Sequence, residues 1–167
     1  MSKIYPTKCK WFLPFLCALL LFAGGCAPKA EAVPGEELVR ALFTTNQDGR
    51  WEKFQSAGTG EAGLEAYLEP FSALCTDRGL YSLTSNRYVY RLDELAAEGD
   101  CTVTPTAYSV DGQEGDTVNF SVTLSVSRDG AEIGTAVQAG QLTLSEDGRV
   151  DSLWLEDMSS LIQVIQS

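Results

Sequence analysis

The chain has 167 residues, 44% apolar and 21% charged, with 12 Lys and Arg against 23 Asp and Glu and no His. That is the length of one domain and the mix of an ordinary globular protein. Without His there is no Ser-His-Asp or Cys-His catalysis and no His-based zinc site, and the acidic balance argues against nucleic acid, whose binding rests on neutralising phosphates with Lys and Arg.

Lys3, Lys8 and Lys10 form a positive n-region ahead of the apolar run Trp11 to Ala23, which holds only Pro14 and Cys17 as oddities. The run is shorter than the about 20 residues that cross a bilayer. Its size and flanks predict a secretory signal peptide over residues 1–25. The run ends Leu21-Phe22-Ala23-Gly24-Gly25-Cys26, which resembles the signal of a bacterial lipoprotein. In such signals small residues precede a cysteine whose thiolate accepts the lipid and which becomes the first residue of the mature chain. The departure is Ala23, where such signals usually carry Leu. Ala23 and Gly25 also satisfy the small-x-small rule of ordinary secretion, which would leave Cys26 a plain thiol. The lipoprotein resemblance implies an anchor at Cys26 on the extracytoplasmic face of the cell membrane.

From Cys26 onward nine Lys and Arg face all 23 Asp and Glu, a net charge of −14. This opposes docking on anionic head groups through a basic patch and suits solubility in a crowded envelope. Cys75 and Cys101 are the remaining cysteines. In an oxidising compartment they either close a disulfide or stay as buried thiols. The loop of roughly 26 residues would contribute roughly 3.5 kcal/mol in the chain-entropy model, but a domain of this size does not need the staple.

Residues 26–35 carry two prolines and no apolar period, so they read as a tether with a reach on the order of 30 Å. A single domain then spans residues 36–167. Leu38, Val39, Leu42 and Phe43 predict a helix over 36–45 with acids at its start, and Trp51 and Phe54 share one side of a short helix over 50–56. From Glu61, Leu64, Tyr67, Leu68, Phe71, Leu74 and Cys75 make a continuous helical stripe interrupted by Pro70. Residues 77–85 read as a turn with a few extended residues. Residues 87–97 suit a helix through Tyr88, Leu92 and Leu95, although Tyr88-Val89-Tyr90 alone suits a strand.

The period then changes to two. Residues 101–110 read as a strand and 111–115 as an acidic loop. Val118, Phe120, Val122, Leu124 and Val126 alternate with polar residues, the pattern of a half-buried antiparallel strand. Asp129-Gly130 predicts a type I′ turn, which sets Val126 opposite Ile133, Val122 opposite Val137 and Phe120 opposite Ala139. Asp147-Gly148 likewise pairs Glu146 with Arg149 and Leu142 with Leu153. The apolar residues of the third run are odd up to Ala139 and even from Leu142. A strand changes face only by an extra residue, which predicts a bulge near Gly140 and a bent sheet. Met158, Leu161, Ile162 and Ile165 place a last helical face in the tail, either packed on the domain or serving a partner.

These elements predict an α+β fold, with N-terminal helices packed on a curved antiparallel β-meander. The helix pair over Leu38–Phe54, the stripe Leu64–Cys75 and the run Asn86-Arg87-Tyr88 leading through Cys101 into the meander resemble the nuclear-transport-factor-2-like, or cystatin-like, cone. The chain also resembles the small uncharacterised lipoproteins of Firmicutes that carry that fold. The resemblance covers residues 36–157 and implies a hollow with a mouth. The same fold hosts isomerases, dehydratases and proteins with no chemistry. No catalytic residue transfers, because no motif matches.

No G-x-G-x-x-G or P-loop pattern is present, so no cofactor is expected. Two cysteines besides Cys26 make no Cys₄ site. Asp111, Glu114 and Asp116 lack the long loop with a terminal Glu that calcium sites use, so no metal site is expected. Tyr67, Tyr88, Tyr90 and Tyr108 are the candidate pocket residues. With Asp93 or Asp100 as base they would permit proton transfer of the isomerase kind, although buried Tyr more often needs only one hydrogen bond. The leading expectation is a non-enzymatic, lipid-anchored domain that meets an envelope protein or small ligand. The alternatives are an isomerase- or hydratase-like enzyme in the same cone and a structural subunit of an envelope complex.

Overall fold

A computed structural model of the chain describes residues 32–58 and 60–167. The expected signal segment, Cys26 and the first part of the expected tether, up to Glu31, lie outside the described residues. From Ala32 onward the chain forms one unit. Five helices come first: α1 (Glu36–Phe43), α2 (Arg50–Ala57), α3 (Glu61–Ser72), α4 (Asp77–Ser85) and α5 (Tyr88–Glu98). Four strands follow, β1 (Thr102–Glu114), β2 (Thr117–Arg128), β3 (Ala131–Leu144) and β4 (Val150–Leu155), and α6 (Ser159–Ile165) closes the chain. The strands form one curved antiparallel sheet in the order β1-β2-β3-β4.

The helices cover one face of the sheet. Leu38, Val39, Leu42 and Phe43 of α1, Phe71 of α3, Leu83 of α4 and Val89 and Leu92 of α5 are buried. They join Val118, Phe120, Val122, Leu124 and Val126 of β2 in a single core. This is the period-3.6 stripe of each helix meeting the period-2 stripe of the strands. The inner face beneath the helices is therefore filled by side chains.

Residues 77–85 are helical and not a turn. Thr76 caps them, its Oγ1 accepting from the Gly79 backbone N–H at 3.1 Å, an arrangement that satisfies an otherwise orphaned donor. Gly79 sits where α4 meets β4: a Cβ there would lie 2.2 Å from the Val150 carbonyl oxygen. The glycine is a packing requirement, and read along the sequence alone it looks like a turn residue. Residues 88–98 resolve to helix, and residues 111–114 extend β1, leaving only a tight turn at Gly115-Asp116.

The hairpin at Asp129-Gly130 has both φ angles positive, 53° and 76°, as a type I′ turn requires. The register beyond it differs from expectation. Arg128 pairs with Ala131 and Ser127 with Glu132, but Val126 pairs with Gly134, so Ile133 is an extra residue. From there to Thr143 the β2–β3 ladder is unbroken, and Gly140 lies opposite Phe120 with no bulge. The change of face falls at Ile133 and not near Gly140. Ala136, Gln138 and Leu142 point inward, while Val137 is 63% exposed. Gly140 is small because a Cβ there would lie 2.6 Å from the Trp154 carbonyl oxygen and 2.8 Å from Phe120 Cζ. Buried Gln138 is satisfied, its Nε2 donating to the carbonyls of Ala139 at 2.9 Å and Glu156 at 3.0 Å.

Leu142 does pair with Leu153, by a compensation. The loop at Asp147-Gly148 pairs Ser145 with Arg149, one residue wider than a two-residue turn. An extra residue at Asp151, between the Leu144–Val150 and Thr143–Ser152 pairs, restores the register. Irregularities beside the β2–β3 and β3–β4 hairpins and twice in β1 therefore bend this sheet, since each bulge raises local twist.

Candidate functional site

Buried charge is the feature of this core that needs explaining, because an ion removed from water must be paired and hydrogen-bonded. Among the described residues the buried charged side chains are Arg50 and Asp93. Arg50 opens α2 just after α1 ends, and Asp93 lies in the middle of α5. Arg50 Nε donates to Asp93 Oδ2 at 2.8 Å. The rest of the guanidinium turns to the end of α1. Nη1 donates to the Ala41 carbonyl at 2.8 Å, and Nη2 to those of Thr44 at 2.9 Å and Leu42 at 3.4 Å. Those carbonyls have no partner inside the helix and lie at its negative pole, where a cation is favoured.

Asp93 is held from three sides. Besides Arg50, the Asn46 backbone N–H donates to Oδ1 at 2.6 Å, and the Tyr67 hydroxyl donates to Oδ2. Burial pushes the Tyr67 phenol above its ordinary range, and the negative Asp93 beside it adds to the shift while Arg50 opposes it. Tyr67 thus stays protonated and donates. Arg50 also lies 5.4 Å from the ring centroids of Tyr67 and Phe71, within cation–π range. Asn46 and Asp48 take left-handed φ of 48° and 55° to turn the chain from α1 into α2. Both are residue types that tolerate that region.

The four candidate tyrosines do not line one pocket. Tyr67 and Tyr90 both flank Phe54, at ring separations of 5.4 and 5.9 Å. The Tyr88 hydroxyl accepts from the Leu155 backbone N–H at 3.3 Å and blocks part of the β4 edge. Tyr108 stacks on Phe120 and donates to the Pro34 carbonyl at 2.7 Å. Burial first, then the nearby Glu36 and Asp111, push its phenol up to about 12. Each tyrosine meets its hydrogen-bonding need at a different place, which is why residue type alone grouped them wrongly.

Cys75 and Cys101 are both free thiols. Cys75 bridges Val150 beside β4, at one edge of the sheet. Cys101 precedes β1 at the other edge, and Thr102 pairs with Ser127 at the far end of the ladder. Three inter-strand steps alone amount to roughly 14 Å, against the about 7 Å Cα limit for a disulfide. The reading as separate thiols is the one the geometry supports. Burial pushes the Cys75 thiol up to about 11, opposed by Arg149.

A cleft of about 440 Å³ opens beside the buried pair, with Asn46, Glu52, Asp93, Asp100 and Asp129 among its walls. Among the described residues that line it there is no Lys or Arg. Among the described residues no group of three carboxylates or thiols is placed to hold a metal, and none of their helices is long and apolar enough to cross a membrane. Compared with known proteins, the chain matches no family model, no curated protein and no solved structure.

Sequence reading missed Arg50 altogether. A signal existed: an Arg placed immediately after the break that ends one amphipathic helix is positioned to cap it. Asp93 sits on the inward face with Val89, Leu92 and Ala96, where an acid demands a buried cation.

Proposed function

We propose that this chain is a lipid-anchored extracytoplasmic protein whose domain binds a ligand or partner and performs no chemistry itself. The anchor and the location rest on the N-terminal pattern through Cys26. The non-enzymatic role rests on one observation: the buried carboxylate Asp93 is paired with a cation and has both oxygens bound by donors of the core. Arg50, Tyr67 and the Asn46 amide occupy it, and Arg50 in turn is spent on the end of α1. A general base must come within hydrogen-bond reach of the proton it takes, and the Asp93 side chain is 0% exposed.

An isomerase- or hydratase-like reading would use the same Tyr67–Asp93 pair, and that pair is the one observation in its favour. Against it stand the arginine clamp and a helix-facing sheet surface filled by core residues. We propose further that the fold is a variant of the nuclear-transport-factor-2-like cone. Helices followed by a four-stranded meander support that likeness; the unbroken ladder at Gly140 is where it departs.

The test of the role is a pull-down from membranes, comparing the anchored wild type with Cys26→Ala. A partner or ligand recovered with the wild type supports the reading. Turnover that depends on Asp93 and Tyr67 overturns it.

A further inference from the structure

Helix α3 turns Gly63, Tyr67 and Phe71 into the core and leaves its outer side to solvent. Leu64 and Leu68, one helical turn apart, form with Leu80 of α4 the apolar lining of an open groove of about 750 Å³. These three leucines pack against the core and yet stay only half-buried, whereas Leu38 and Leu42 of α1 are fully covered. Glu61, Glu65 and Glu69 line the same groove and are exposed. Their four-residue spacing puts them on one stripe of the helix surface, next to the leucines.

The stripe lacks a counter-charge. On α1, Glu36 pairs with Arg40, and on α5, Glu94 pairs with Arg91, both at 2.7 Å. Helix α3 has no Lys or Arg in its sequence, and among the described residues Glu61, Glu65 and Glu69 join no ion pair. Like charges four positions apart on a helix repel and weaken it. The nearby bases are turned elsewhere. Arg78 of α4 reaches Asp151 at 3.1 Å, and Lys53 shares a separate cleft with Glu69 without pairing to it. An apolar groove beside a row of unpaired carboxylates is complementary to an amphipathic helix with a cationic flank, the arrangement of a coiled-coil seam and its flanking charges. A second copy docked through the same face would set glutamate against glutamate, and anionic head groups would be repelled.

We propose that the α3–α4 groove docks a cationic amphipathic helix of another protein. The apolar side of that helix seats on Leu64, Leu68 and Leu80, and its Lys or Arg side chains meet Glu61, Glu65 and Glu69. Docking relieves the repulsion along α3 while covering the half-buried leucines. The proposal names the partner class for the binding domain proposed above and rests on that reading, but a peptide titration reads the groove itself, without anchor or membrane.

The experiment is a fluorescence-anisotropy titration of residues 32–167, the unit that holds the single core. The probe is a labelled, end-capped peptide of about 14 residues, long enough to run the length of α3, with leucines at i, i+3, i+4 and i+7 and lysines elsewhere. A peptide of the same composition, with its leucines spread around the helix, controls for bulk attraction to an acidic protein. The expected result is binding at least tenfold tighter for the amphipathic peptide, weakening as salt is raised. Joint replacement Glu61→Gln, Glu65→Gln and Glu69→Gln should weaken it at least tenfold without lowering the melting temperature, since only repulsion leaves α3. Glu114→Gln, Glu146→Gln and Glu156→Gln together remove the same charge from other exposed positions and should change binding less than twofold. Leu68→Ala should weaken it at least threefold. Equal binding of the two peptides overturns the proposal. So does a groove triple variant that binds like the wild type, or a control triple variant that weakens binding as much. A partner recovered from membranes, with no such peptide preference, overturns the groove and leaves the binding role standing; turnover through Asp93 and Tyr67 overturns the binding role itself.

Discussion

Arg50 and Asp93 meet at 2.8 Å with side chains 6% and 0% exposed, and each holds a different helix: Arg50 the end of α1, Asp93 the turn at Asn46. The pair joins α1, α2 and α5 without a covalent link. Breaking it on one side leaves the other charge buried and unpaired. Asp93→Ala is expected to cost about 3–5 kcal/mol. The double variant Arg50→Met with Asp93→Leu should recover part of that loss, because no charge is then stranded, although α1 loses its cap. Urea unfolding of the single and double variants measures both.

Tyr67→Phe removes one donor from Asp93 and keeps the ring between Phe54 and Arg50. The expected loss is about 1–3 kcal/mol, the cost of a less satisfied buried acceptor. In the folded wild type, the ultraviolet difference signal of tyrosine ionisation at pH 11 should lack at least this phenol, and unfolding in urea at the same pH should release it.

Gly79 and Gly112 form a matched pair of tests. A Cβ at Gly79 would collide with the Val150 carbonyl at 2.2 Å, whereas at Gly112 its nearest neighbour would be Asn119 Nδ2 at 3.8 Å. Gly79→Ala should force α4 away from β4 and cost about 1–3 kcal/mol. Gly112→Ala should be neutral or stabilising by a few tenths of a kcal/mol. Thermal melts of the two variants decide this.

Stability should fall with alkali through identified groups. Cys75, ordinarily near 9, is raised to about 11, and Tyr108, ordinarily near 10, to about 12. A raised folded value means that the unfolded chain gives up the proton first. The contribution is whole below pH 9 and is lost as pH rises from 9 to 12. Cys75→Ala should flatten the pH 9–11 part of the denaturant-midpoint profile. At the acid end, Ser145 and then Arg149 hold the Asp147 carboxyl at about 2. Its contribution is present above pH 4 and fades towards pH 2, and full exposure keeps it small.

The sequence made the α+β order legible where period and burial agree. Leu38, Val39, Leu42 and Phe43 fall on the buried side of α1 as their spacing demands, and the alternation from Val118 to Val126 marks β2 without ambiguity. What it hid was long-range. Gly79 reads as a turn residue until Val150 is placed against it. The odd apolar residues Val137 and Ala139 lie on the outward face, so the bulge expected near Gly140 is absent and the ladder's irregularity lies at Ile133, beside the hairpin. Val137 was taken as inward because it is apolar, while Gln138, which points inward, finds its partners on Ala139 and Glu156. The Arg50–Asp93 link spans 43 positions of chain, and no local pattern reports it.

The proposed anchor makes Cys26 the first residue of the mature protein and the point at which the domain is tied to the membrane. Intact-mass and N-terminal peptide measurement of protein extracted from membranes tests this most directly. The prediction is a chain beginning at Cys26 with a diacylglyceryl-sized addition, lost together with membrane retention in Cys26→Ala. An unmodified Cys26, or a Cys26→Ala protein retained in the membrane fraction like the wild type, would contradict it.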